Sequence, residues 1–129
     1  MKYMLLMQAT ALDMAAGPAS WAREDVVAHV EFMRELMENY FKPGELLDAQ
    51  GLAAPDTVRV IQAGDDGEPI VTDGPFPESK EFLAGYWLLE LADEKRAVEI
   101  GAHISAAPGP GGKPLNFPIV LHPIGQAPA

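Results

Sequence analysis

Three histidines, His29, His103 and His122, are the side chains of this chain best suited to move a proton near neutral pH. A neutral imidazole acts as a general base once a second group fixes its orientation, so the carboxylates that can meet it matter equally. Asp73 is one such candidate. It opens the stretch Asp73-Gly74-Pro75-Phe76-Pro77-Glu78-Ser79-Lys80-Glu81, where glycine and proline break the chain and release backbone N–H groups. Asp73 there is either an Asx-type corner or an acid/base and ligand anchor, tuned by burial or by a cation such as Lys80. Phe76 is a hydrophobic plug or a stacking surface for an aromatic ligand, and Gly74 allows a close backbone approach.

Other chemistries are poorly represented. The chain has no cysteine, which removes disulfides, thiolate nucleophiles and zinc–sulfur sites. Ser20, Ser79 and Ser105 are its serines, and none lies in a Gly-x-Ser-x-Gly turn. Gly109 to Pro114, GPGGKP, lacks the hydroxyl residue that follows Lys in a phosphate loop, and Pro114 opposes an immediate helix. No two histidines stand at His-x-x-x-His spacing, so neither a metal nor a cofactor is expected. Acid–base chemistry and plain ligand binding remain.

The elements that must position these groups follow from periodicity. Lys2 to Ala9 is apolar on both alternating faces and reads as a strand covered on both sides. Ser20 is a candidate N-cap for a helix whose apolar stripe runs Val26, Val30, Met33, Met37, Tyr40, with Glu24, Glu31, Glu35 and Glu38 opposite. His29 falls on the flank of that stripe, where it is either a half-buried structural residue or the base. Pro43-Gly44 ends the helix. Glu45 to Gln50 reads as a short strand, and Thr57 to Gln62 with Pro69 to Thr72 flank the Asp-Gly signal of a hairpin. Phe82 to Leu91 is a strand rich in aromatic residues. Asp93 caps a second helix reaching Ile104, with Ala97, Ile100 and Ile104 inward and His103 placed to complement the helix dipole. Phe117 to Leu121 is the last strand, with Pro118 marking an edge or a start.

Without the hairpin the order is βαββαβ, the ferredoxin-like split. Two helices cover one face of four strands. The other face also carries apolar side chains, and a second copy of the chain is its simplest cover, so a homodimer is expected.

Composition bounds the partners. At 129 residues one domain, 1–129, is expected. Nine basic against nineteen acidic side chains give a net charge of −10, which disfavours nucleic acid and anionic membranes. Met4 to Met7 is too short for a secretion signal, and no apolar run nears the roughly 20 residues that cross a bilayer. The expectation is a cytoplasmic protein.

The stretch VTDGPFPESKEFLAGYWLLE, together with the opening MKYMLLM and the strand TVRV, resembles the DGPF branch of the YCII-related family over residues 1 to about 104. The core Asp73-Gly74-Pro75-Phe76, with Lys80-Glu81 and Gly85-Tyr86, carries the match. The resemblance implies a dimeric α+β barrel. It implies little about activity: some relatives are encoded beside, or fused to, extracytoplasmic-function sigma factors, and in the wider family a dehydrochlorinase acts on a chlorinated hydroquinone. For that wider family a histidine of the first helix, paired with an aspartate, is the proposed dyad. His29 stands on the first helix in the same way, followed by Gly44, Leu46, Leu47 and Gly51, with Asp48 or Asp56 as partner. The tail departs from the pattern, and His122-Pro123 stand where the family has an Arg-Pro pair. In place of that Arg, His122 would hold an acidic group only when protonated.

Two functions follow as expectations. The first is a small-molecule pocket lined by His29 and Asp73 as the catalytic pair and by Lys80, Tyr86 and Phe76 as ligand contacts. The second is a non-catalytic interaction module, for example a partner of a sigma factor or another regulator, recognised through its acidic surface.

Overall fold

Alternation in the longest strands sets the architecture. In the computed structural model, which describes residues 1–10, 13, 17–73 and 81–126, Lys2–Ala9 is strand β1 and Phe82–Glu90 is its antiparallel partner β5. Tyr3 and Leu5 on β1, with Trp87 and Leu89 on β5, point to one side and are buried. Leu46–Gly51 (β2) pairs with β5, and Ile119–Pro123 (β6) pairs with β1, both antiparallel. The sheet order is therefore β2-β5-β1-β6. Because β1 and β2 are each antiparallel to the strand between them, they run parallel to one another. That is the split βαβ arrangement, and the chain has an α+β fold compatible with the ferredoxin-like class. Between β2 and β5 lies a separate two-stranded antiparallel ladder, Arg59–Ala63 (β3) with Pro69–Asp73 (β4).

The helices differ in how much they bury. Helix α2, Glu94–Ser105, starts on Asp93, whose carboxylate accepts the backbone N–H of Arg96 at 3.0 Å. Its Ala97, Ile100 and Ile104, at spacings of three and four, are fully buried against Leu5, Leu36 and Leu89. Each large aliphatic side chain so buried contributes about 1.5–3 kcal/mol. Helix α1, Arg23–Glu35, has no fully buried residue. It continues through a π-helical turn, Leu36–Tyr40, whose Leu36 enters the core.

Two local expectations need correction here. Ser20 does not cap α1: it lies in a 3-10 turn, Pro18–Ser20, its hydroxyl donates to the Gly17 carbonyl at 2.8 Å, and Ala22 takes the N-cap without a side-chain bond. The apolar stripe is also only partly inward: Val26, Met33 and Tyr40 face in as the spacing predicts, but two positions do not. Val30 and Met37 are 58% and 42% exposed, whereas His29, Met33, Leu36 and Tyr40 are inward. Both sets satisfy the three-four spacing. Apolarity could not choose between them because the inward set contains the histidine.

Candidate functional site

His29 sits at the centre of a cavity of about 340 Å³. Its floor is the end of β1, with Met7, Gln8 and Ala9. The walls are Trp21 and Met33 beside α1, Glu81 before β5, and Leu115, Phe117 and Pro118 before β6. The last wall is held by local bonds. The Ser105 hydroxyl donates to the Phe117 carbonyl at 2.6 Å, the Asn116 N–H donates to the Ser105 carbonyl at 2.8 Å, and Asn116 turns the chain at φ 54°, a conformation that asparagine tolerates. This is why the final strand begins at Ile119 and not at Phe117: Phe117 and Pro118 are used as wall.

The imidazole is fixed by two contacts. Nδ1 lies 3.0 Å from the carbonyl oxygen of Pro108. A carbonyl can only accept, so Nδ1 carries the proton, and in the neutral ring Nε2 is the basic nitrogen. The Trp21 ring packs edge-on at 5.5 Å between centroids and 84° between planes. No described protein atom bonds Nε2. An oriented base with a free lone pair beside a cavity can take a proton from a bound molecule or hold its donor group.

The other proposed site residues go elsewhere. Asp73 is not among the residues that line this cavity. It closes the mouth of the β3–β4 ladder, where Arg59 pairs with it at 3.1 Å and it remains 75% exposed. A cross-strand ion pair this exposed contributes under about 1 kcal/mol. Gly74, Phe76 and Lys80 lie outside the described residues.

Tyr86 neighbours Leu6 and not Leu5 across the ladder, so it projects from the face opposite the helices. There its hydroxyl donates to Asp48 at 2.7 Å. That bond holds the Asp48 carboxyl below the ordinary carboxylate range and pushes the Tyr86 phenol up. The pocket expected to join His29, Asp73 and Tyr86 is therefore not one cavity. The carboxylate expected behind His29 is also differently placed: Asp48 is occupied by Tyr86, Asp56 lies exposed in the 3-10 turn Pro55–Thr57, and the Pro108 carbonyl orients the imidazole.

Of the described lining residues only His29 was named from the sequence as a site residue; Trp21, Asp13 and Glu81 are among those missed. Trp21 carried a signal, a large aromatic residue in a Gly-Pro loop just ahead of a helix. Asp13 carried a weaker one, since Thr10-x-x-Asp13 forms a reciprocal turn: the Thr10 N–H donates to Oδ2 at 2.8 Å and the Asp13 N–H to the Thr10 hydroxyl at 3.1 Å. Glu81 ends the DGPF stretch but was overshadowed by Asp73 at its start. Pro108 could not have been found, because it acts through a backbone atom.

His103 occupies a different surround. Its ring stacks on Phe32 at 5.1 Å and lies 3.9 Å from the Tyr40 centroid, and Arg96 stands over the Tyr40 ring at 5.2 Å. Burial pushes this imidazole below the ordinary histidine range, and the Arg96 charge adds to the effect. His122 is exposed on β6. Among the described residues no group of three His, Asp or Glu is placed to hold a metal ion. No helix among them is long and apolar enough to cross a membrane.

Comparison with known proteins identifies a family and leaves the chemistry open. The chain is 28% identical over 111 residues to an uncharacterized protein of Rhizobium meliloti (strain 1021), covering 86% of this chain and 89% of the relative. Its residues 1–109 match the YCII-related domain, and the chain belongs to the YCII-related family.

Proposed function

We propose that this protein binds a small molecule in the His29 cavity, with His29 as a general base acting through Nε2. One observation carries the reading: the imidazole is anchored at Nδ1 by a backbone carbonyl and borders a cavity large enough for a small ligand. The lining supports it. Trp21, Met7, Met33 and Phe117 offer apolar and aromatic surface, while Gln8, Asp13, Glu81 and His29 supply a few polar groups. Within the family we place the chain in the DGPF branch on Asp73-Gly74-Pro75-Phe76, and in the cytoplasm.

The protein also acts as a homodimer in this reading. Met4, Leu6, Leu88 and Val120 share the face opposite α1 and α2, which no described helix covers, and Val120 is 42% exposed. A sheet packed on its twin would bury them.

A fragment screen by NMR on wild-type protein and on His29→Ala tests the binding claim. Hits that shift Trp21 signals in the wild type and vanish in the variant are expected. Hits that collect instead around Tyr86 and Asp48 would sink it.

A second reading, an interaction module for a sigma factor or other regulator, draws on the β3–β4 ladder. Ile61 and Val71, cross-strand neighbours on one face of it, are 68% and 56% exposed, a surface suited to another protein. Charge reversal of Glu31, Glu35 and Glu38, followed by co-purification, separates the two readings.

A further inference from the structure

We infer that the His29 cavity selects an aromatic ring bearing an ammonium group, and that it discriminates against carboxylates; this rests on the reading of that cavity as a ligand site. The lining decides the charge. Asp13 and Glu81 both border the cavity, and none of its described lining residues is Lys or Arg. Asp13 uses Oδ2 for the Thr10 N–H, which leaves Oδ1 as an acceptor. Glu81 has no ion pair among the described residues. His29 donates through Nδ1 and so presents only an acceptor at Nε2.

Apart from the Gln8 amide, the described polar side chains around the cavity therefore present acceptors, matching a group with three donors and no acceptor. An incoming carboxylate would meet like charge at two points, with the chain's net charge of −10 behind them. The apolar lining decides the body of the ligand. Trp21 and Phe117 are the rings of the lining, and the Met7 and Met33 thioethers adapt to a flat partner.

The test uses three probes of similar shape in 19F NMR titrations of the full chain: 4-fluorophenethylamine, 4-fluorophenethyl alcohol and 4-fluorophenylacetate. The amine should bind about tenfold more tightly than the alcohol, and the acetate most weakly. In Glu81→Gln, an exposed position whose change leaves the core untouched, the gap between amine and acetate should narrow several-fold. Asp13→Asn serves as an independent second variant, and a thermal melt of each confirms folding. Any order in which the amine is not tightest overturns the charge inference. If the probes still lose affinity in Trp21→Ala, the cavity itself survives as a binding site. Failure of all three to bind, or binding indifferent to Trp21→Ala, overturns the cavity reading together with the inference.

Discussion

Two histidines of this protein look alike in sequence and differ in what surrounds them. His29 on α1 and His103 on α2 both sit on helix flanks beside aromatic rings. His29 has one ring nitrogen bound to the Pro108 carbonyl, the other unbonded among the described residues, and open volume beside it. His103 contacts Phe32 and Tyr40, with Arg96 over the Tyr40 ring, and partial burial disfavours its charged form. Aromatic neighbours thus do not make a histidine functional. Both histidines border open volume, about 340 Å³ in each case, so on the reading proposed for His29 it is the anchor at Nδ1, without a counterpart among the described partners of His103, that defines the proton position.

The strongest way to break this contrast is to unbolt the His103 end. Arg96 donates two bonds to the Glu45 carboxylate, at 2.8 and 2.9 Å, and the pair is 16% and 11% exposed. Arg96 holds the Glu45 carboxyl below the usual range. Glu45→Gln should cost about 2 kcal/mol in chemical denaturation, less than the ~3–5 kcal/mol of a fully buried pair because an edge stays wet. Stability of the wild type should also drop in acid. A carboxyl whose folded-state pKa is depressed contributes fully above its unfolded value, about 4.3, and loses that contribution as pH falls through the folded value. The variant should show a flatter acid limb. Equal limbs would mean that the pair is decorative.

Next in size is His29 itself. His29→Ala should weaken retention of a cavity ligand at least tenfold, about 1.4 kcal/mol, whereas His103→Ala should leave it unchanged. His29→Asn sharpens the test. Its side-chain amide can still donate toward Pro108 but offers no basic nitrogen, so binding should be partly kept while any proton transfer is lost. Loss of both in His29→Asn and of neither in His29→Ala would reverse the assignment.

How much of this was legible beforehand depends on whether side-chain pattern or backbone placement decided it. The sheet was legible because Tyr3, Leu5, Trp87 and Leu89 alternate strictly with their outward neighbours. Asp93 and the Ala97-Ile100-Ile104 stripe were legible for the same reason, since one residue type serves each position. The same alternation already separates Tyr86 from Trp87, and carrying it through would have kept Tyr86 out of the His29 pocket. Asp73 drew attention through its company of glycine and proline, but its strand partner is Arg59, a pairing set by hairpin register. The orientation of His29 was not legible at all. It depends on a carbonyl 79 residues away in sequence, delivered by the turn after α2.

That turn supplies a smaller test on the functional side. A Cβ added at Gly109 would meet the Leu115 side chain at 2.5 and 2.9 Å, and Leu115 lines the cavity. Gly109→Ala should therefore push Leu115 and shift probe affinity a few-fold in either direction, while Tyr40 and His103 keep their wild-type NMR signals. Perturbed His103 signals with an unaltered cavity would show the two ends to be coupled through α2.

The smallest effect belongs to His103 and probes the structural half of the contrast. Its imidazole is harder to protonate in the folded chain than in the unfolded one, since charging it would place a cation in the aromatic cluster near Arg96. The charged groups facing it are Arg96 from its own helix and Glu35 from α1, which also borders this recess. The unfolded chain therefore binds the proton first as pH falls. Stability is fully present above about 6.5 and declines as pH drops through the lower folded value. His103→Phe keeps a ring against Phe32 and Tyr40 and removes the titration, so its stability should change less between pH 7 and pH 5 than that of the wild type. If the two proteins instead lose stability in parallel over that window, the cluster does not oppose the charge, and His103 must be reconsidered as a group that can be protonated and used.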